Sequence, residues 1–136
     1  MKSALKAFAT LLFATLLLVQ CNKHSHDPEN TVFNCHFYTS NDSSDTKLSL
    51  YIDGENKGEL PFISSDLVCG DSALAGALQL SLSPGTYTVK GKDEDGHTQS
   101  SGNIMIYSDE QGIDGGTGGM SLRWDEGTCF VIRLFF

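Results

Sequence analysis

The stretch LSLYIDG, residues 48–54, decides the fold class of this 136-residue chain. Its leucines and its isoleucine alternate with residues of the opposite face, which is the period of a β-strand with one buried side. The dipeptide Asp53-Gly54 then favours a tight two-residue turn between antiparallel strands. We therefore predict a β-hairpin whose first strand begins at residue 48.

The same period of two recurs from residue 31 onward, and no longer segment carries a helical apolar face. Turn signals at Pro84-Gly85, Asp93–Gly96 and Glu126-Gly127 separate the apolar runs, and Pro84-Gly85 is expected to join two paired strands. This spacing predicts an all-β protein with a single antiparallel β-sandwich of about seven short strands. Residues 64–76, with one helical turn at most, and the glycine-rich residues 112–119 are predicted to be loops.

Residues 1–20 have the pattern of a bacterial export signal. Lys2 and Lys6 precede an uncharged apolar run, residues 7–19, that is shorter than the ~20 residues of a membrane-spanning helix. The following LVQC, residues 18–21, resembles the lipobox of bacterial lipoproteins, although Gln20 stands where a small residue is usual. The resemblance implies that Cys21 becomes the acylated N-terminus, and that Asn22 after it directs the protein to the outer membrane.

Residues 21–30 form the predicted lipidated N-terminus and flexible tether. The sequence NKHSHDPEN, residues 22–30, includes Pro28 and has no large apolar side chain that could be buried in a core, so we predict a flexible segment. His24 and His26 have no third ligand nearby in the sequence, and we predict no metal site. The predicted β-sandwich domain then covers residues 31–136.

The charge of the chain limits the classes of partner. The formal net charge of −8 becomes −10 when the signal is removed, because Lys2 and Lys6 are lost with it. Such a chain is a poor match for nucleic acid. The membrane, through the lipid anchor, and a protein or glycan of the envelope remain as predicted partners.

Three cysteines, Cys35, Cys69 and Cys129, remain after Cys21 is assigned to the anchor. An oxidising compartment favours one disulfide among them, with three possible pairings, and one free thiol. His36 follows Cys35 but lies on the opposite face of the strand, so a Cys–His nucleophile is not expected. We predict neither a catalytic site nor a cofactor.

Two resemblances suggest functions. One resemblance is to the PEGA-type β-sandwich repeat of bacterial envelope proteins, and it is carried by residues 50–54, Gly58, Pro61, residues 82–89 and Gly96. Transthyretin-like sandwiches share the same spacing of turn residues. This resemblance implies a non-catalytic binding or spacer module.

The second resemblance is to the membrane-bound lysozyme inhibitors, which are small periplasmic lipoproteins. The residues that carry it are Cys35, Ser101-Gly102, Tyr107, Trp124, Glu126-Gly127 and Cys129. It implies, as an alternative function, inhibition of a cationic cell-wall hydrolase, to which an acidic chain is electrostatically complementary.

The lipid anchor is tested by the variant Cys21→Ala. Because acyl chains on Cys21 would be the attachment to the bilayer, we expect the variant to move from the membrane fraction to the soluble fraction on ultracentrifugation. Cys35→Ala is the matched control and should stay with the membrane. Membrane association of Cys21→Ala equal to that of the wild type would contradict the assignment.

Overall fold

The computed structural model describes residues 31–40, 46–107, 111–114, 119–124 and 127–135. These ranges form nine strands and a 3-10 turn, and they contain no α-helix. The strands are β1 (Phe33–Thr39), β2 (Leu48–Ile52), β3 (Glu55–Leu60), β4 (Leu78–Leu82), β5 (Gly85–Lys92), β6 (Thr98–Ile106), β7 (Gln111–Asp114), β8 (Gly119–Trp124) and β9 (Cys129–Phe135). The described part of the chain has no helix with the length and apolar character needed to cross a membrane.

The strands form two sheets, which confirms the predicted all-β sandwich. The four-stranded sheet has the order β4-β1-β9-β8, and the five-stranded sheet has the order β3-β2-β5-β6-β7. All neighbouring pairs are antiparallel except β1 and β9, which run parallel in register from Asn34 with Cys129 to Thr39 with Leu134. The sandwich is therefore antiparallel-dominated, with one parallel pair at the centre of the four-stranded sheet.

The core lies between the two sheets and follows the predicted alternation. Val89 is fully buried and Tyr87 packs against the same core, as expected. The rings of Phe33 and Phe130 meet edge to face, with centroids 5.1 Å apart. The other buried residues of this core are Cys35, Phe37, Leu48, Leu50, Ile52, Leu60, Ile104, Ile106, Ile132 and Leu134.

The predicted turns are confirmed at two places and wrong at a third. Asp53 and Gly54 have φ angles of 51° and 85° and connect β2 to β3, as a two-residue hairpin turn requires. The segment Asp93–Gly96 likewise connects β5 to β6. Pro84-Gly85, however, does not join paired strands, because β4 and β5 belong to different sheets. It carries the chain from one sheet to the other at a corner of the sandwich.

The prediction that residues 112–119 form a loop is wrong at both ends, because residues 112–114 belong to β7 and Gly119 begins β8. Residues 111–114 form strand β7, in which Gly112 pairs with Met105 and Ile113 with Ile104 of β6. Glycine disfavours strands because it has no side chain to pack. Pairing with the long strand β6 nevertheless supplies the backbone hydrogen bonds, and β7 becomes the edge of the five-stranded sheet.

Residues 61–77, which we call the strap, cross the outer face of the four-stranded sheet. The prediction that residues 64–76 form no strand is confirmed, and their only regular element is the 3-10 turn Ser72–Gly76. Leu67 and Leu74 of the strap are buried against Tyr38 of β1 and Val131 of β9. The four-stranded sheet is thus covered on both faces, by the other sheet and by the strap.

The hairpin at Asp53-Gly54 is tested by Gly54→Ala. A Cβ on Gly54 would meet nothing within 4 Å, but its φ of 85° strains any L side chain. We expect a loss of about 1 kcal/mol in the free energy of unfolding, measured by urea denaturation. Gly76→Ala, which adds a Cβ that would be 3.9 Å from Ile63 Cδ1 with no positive φ, is the matched control. Equal losses in the two variants would contradict this explanation.

Candidate functional site: a cleft between the strap and strand β8

A disulfide between Cys69 and Cys129 fixes the strap to the first residue of β9. The Cα atoms of the two cysteines are 6.1 Å apart, and 60 positions separate them in the sequence. Of the three pairings that the sequence left open, the structure contains this one. Cys35 is the remaining thiol of the described residues.

Cys35 lies in the core and is poorly suited to chemistry. Its Sγ is buried, and its hydrogen-bond partner is the Phe33 carbonyl oxygen at 3.9 Å. Burial raises the pKa of the Cys35 thiol to about 12, so the nucleophilic thiolate is disfavoured. His36 lies on the other face of β1, where its ring hydrogen-bonds with the Leu74 backbone of the strap. The two side chains do not form a nucleophile and base pair.

Polar contacts hold the strap at two further points. Asp66 accepts hydrogen bonds from two arginines of the sheet, from Arg123 Nη2 at 2.9 Å and from Arg133 Nη1. The Leu67 backbone N–H donates to the Tyr38 hydroxyl at 3.3 Å. The strap is therefore attached covalently, by an ion-pair cluster and by buried leucines, so its exposed side chains are held in place relative to β8.

An open cleft of about 450 Å³ lies where the strap meets β8. Its lining consists of Val68 and Cys69 from the strap, and Leu122, Arg123 and Trp124 from β8. The volume falls in the range typical of ligand sites in proteins. Val68 is 43% exposed and Trp124 is 45% exposed, so the apolar lining is open to solvent. Trp124 Nε1 donates to the Gly127 carbonyl oxygen at 3.4 Å, which orients the indole.

The carboxylates of Asp93, Glu94 and Asp95 lie at the tip of the hairpin between β5 and β6, where the sequence predicts a turn. Asp93 Oδ1 accepts from the His97 backbone N–H at 2.8 Å, and Asp93 Oδ2 accepts from Gln99 Nε2 at 2.7 Å. These hydrogen bonds hold the pKa of Asp93 below its ordinary value, and the bond from Gln99 has the largest effect. Glu94 and Asp95 are exposed. Within the described ranges there is no group of three side chains that could hold a metal ion.

Other predicted positions lie outside the described residues. These include the proposed acylation site Cys21, with Gln20 before it, and the histidines of the tether, His24 and His26. Residues 115–118 of the glycine-rich segment also lie outside them. The assignment of residues 1–30 to a signal and a tether therefore stays a prediction.

The cleft itself was not predicted from the sequence. In the sequence, Trp124 carries part of the lysozyme-inhibitor resemblance, and Val68 lies within the predicted loop of residues 64–76. A usable signal was present in CFVIRLF, residues 129–135, since a run apolar on both strand faces indicates a sheet that needs a cover on each side. The length of the strap and the position of Cys69 within it then suggest which segment provides that cover.

Comparison with protein-family models, with curated proteins and with solved structures found no match to this chain. The resemblances to the PEGA-type repeat and to the lysozyme inhibitors accordingly stay predictions. The candidate site is defined by its own geometry: exposed apolar and aromatic side chains, one arginine, and a disulfide that fixes the strap to β9 beside β8.

The contact between His36 and the strap predicts a pH dependence of stability. Burial lowers the pKa of His36 below its ordinary value of 6.5, partly offset by the hydrogen bond with the Leu74 backbone, and Nδ1 is buried with no partner. The unfolded chain therefore takes up this proton at a higher pH than the folded chain. The contribution of neutral His36 to the free energy of unfolding is therefore fully present above a pH of about 6.5, and it is lost as the pH falls below that value.

We expect the free energy of unfolding of the wild type to decrease more between about pH 7.5 and pH 5.5 than that of His36→Gln. Urea denaturation at the two pH values measures the difference. His97→Gln removes a histidine whose side chain is 75% exposed, and it should keep the wild-type decrease. The explanation is wrong if His36→Gln loses as much stability as the wild type over this interval.

Proposed function

We propose that this chain is a lipid-anchored, non-catalytic binding domain of the bacterial envelope, and that it binds a protein or glycan at the cleft between the strap and β8. The observation that carries the proposal is the exposure of Trp124 and Val68 beside a disulfide that fixes the strap to β9, the strand paired with β8. Tryptophan and arginine are the residues most enriched among the energetically dominant contacts of protein interfaces. A rigid cleft also loses little conformational entropy when its ligand binds.

The chemistry of the described residues supports binding over catalysis. The Cys35 thiol is buried and its pKa is raised, so it does not offer a nucleophile. Asp93 is occupied by hydrogen bonds within its own hairpin. The cleft contains a guanidinium and apolar groups, and among the described residues no histidine or carboxylate lines it to accept a proton from a substrate.

The position of the cleft fits a domain held on a tether. Asn34 at the start of β1 is in register with Cys129 at the start of β9, and the Asn34 N–H donates to the Thr128 carbonyl oxygen at 2.6 Å. Trp124 is in register with Phe130 at this same end. A ten-residue tether before residue 31 spans at most about 35 Å when extended. An anchored domain would therefore hold the cleft close to the membrane, where an envelope partner would meet it.

The alternative, inhibition of a cationic cell-wall hydrolase, stays a prediction. The acidic net charge favours it in a general way, whereas the charged side chain of the cleft is Arg123. A direct assay separates the two functions, because an inhibitor would reduce the turnover of a lysozyme at stoichiometric concentration, and a binding or spacer module would leave it unchanged.

Binding at the cleft is tested by Trp124→Ala in a pull-down from detergent-solubilised envelope. Removing the indole would take away the largest apolar contact of the site, so we expect the recovery of the specific partner to fall by tenfold or more. Phe62→Ala is the matched control, because Phe62 is an aromatic residue of the strap with similar exposure, 48%, that does not line the cleft.

Both variants must unfold at a temperature close to that of the wild type for the comparison to count. A partner that is captured equally by Trp124→Ala and by the wild type would place binding elsewhere on the domain. A partner lost equally in both variants would also contradict the role of the cleft.

A further inference from the structure

Among the described residues, the ion-pair cluster beside the cleft has more positive than negative charge. Asp66 is shared by Arg123 and Arg133, so one carboxylate faces two guanidinium groups. Asp66 is the one acidic partner that these two arginines have among the residues that the structure describes. The cluster therefore carries a local formal charge of +1 in a chain whose net charge is strongly negative.

The arginines also have hydrogen-bond donors to spare. A guanidinium has five N–H donors, and Arg123 uses Nη2 for Asp66. The Arg123 side chain is 50% exposed and lines the cleft, so it can reach a ligand. Arg133 lies behind it, with Nε buried and unpartnered in the described part of the molecule. A second carboxylate at Arg123 would balance the charge of this cluster.

The apolar groups of the cleft adjoin this cation. Trp124 follows Arg123 at the end of β8, and Val68 lines the cleft from the strap, while Leu122 of the lining also packs against the inter-sheet core. A ligand that fits both parts combines an apolar side chain with a carboxylate a short distance away. Because long-range repulsion from the acidic chain works against anions, the ligand should carry few negative charges besides that one.

We propose that the cleft binds a polypeptide segment in which an aliphatic or aromatic side chain lies next to a carboxylate, such as a C-terminal leucine. This proposal rests on the proposed function and names the chemistry of its partner. The cleft is open and its lining is exposed, which suits a side chain presented by another polypeptide, whereas sites for free small molecules enclose most of the ligand surface.

Other occupants fit less well. The tether, residues 22–30, contains no large apolar side chain to fill the cleft. A second copy of the chain would bring its own excess of acidic residues, 17 against nine basic ones in the full sequence, and the two copies would repel each other. Both occupants are outcomes that the experiment below can detect.

The chain contains a single tryptophan, Trp124, so intrinsic fluorescence reports on the cleft directly. The purified mature protein is titrated with two peptides, acetyl-Gly-Ser-Gly-Leu with a free C-terminal carboxylate and the same peptide as its C-terminal amide. We expect the carboxylate form to bind about tenfold more tightly or better, because hydrogen bonds to a charged group are among the strongest in proteins. A third peptide with serine in place of leucine should bind much more weakly than either.

Arg123→Gln keeps a polar side chain but loses the charge, and it should reduce the preference for the carboxylate to less than twofold while the amide binds as before. Arg133→Gln also removes a partner of Asp66, but Arg133 does not line the cleft. This control lowers the local charge by one but keeps the N–H donors of Arg123 in the cleft, so it should retain a clearly larger preference for the carboxylate than Arg123→Gln does. If both variants lose it equally, the effect comes from the attachment of the strap, and the assignment of the carboxylate to Arg123 is overturned.

The remaining outcomes also decide the proposal. It is overturned by the absence of a Trp124 response to all three peptides up to millimolar concentration, by octanoate binding more tightly than the carboxylate peptide, or by a dimer in light scattering that blocks the response. If the pull-down still depends on Trp124 in any of these cases, the proposed function stands and only the carboxylate ligand fails. If neither the pull-down nor the peptides depend on Trp124, both proposals fail.

Discussion

The four-stranded sheet is apolar on both faces, and this constraint explains most of what is distinctive in the molecule. One face packs against the five-stranded sheet in the way usual for a sandwich. The other presents Tyr38 and Val131, which need a cover of their own. The strap supplies that cover through Leu67 and Leu74, and its long path across the sheet is stabilised by a disulfide and by the Asp66 cluster. The cleft is a consequence, since it lies where the cover ends and β8 begins.

Much of the fold could be predicted from the sequence because local patterns determine it. The alternation in residues 48–52 and the turn at Asp53-Gly54 act over a few residues, and they formed the expected hairpin. The corner at Pro84-Gly85 has the same local signals as a hairpin turn. Whether the chain pairs with itself there or crosses to the other sheet depends on β1, which competes for β4 from more than 40 residues away. The residues near Pro84-Gly85 give no information about this competition, so the change of sheet could not be predicted from them.

The candidate site depends even more on contacts between distant residues. Cys69 and Cys129 are separated by 60 positions, and Asp66 meets Arg123 and Arg133 at separations of 57 and 67. Three cysteines allow three pairings with equal justification, and only the geometry selects one. The residue types thus indicate individual strands and turns, whereas the order of strands in the two sheets determines which distant residues come into contact.

The parallel pairing of β1 with β9 has a mechanical consequence. Both strands start at the same end of the sandwich, and the Cys69–Cys129 disulfide lies at that end too. If an anchor pulled on residue 31 while a partner held the cleft, tension would pass from β1 across a few hydrogen bonds to Cys129, and through the disulfide to Val68. The two-sheet core would lie outside this load path. Such a domain could bear force between its anchor and its ligand while most of its interior stays unloaded.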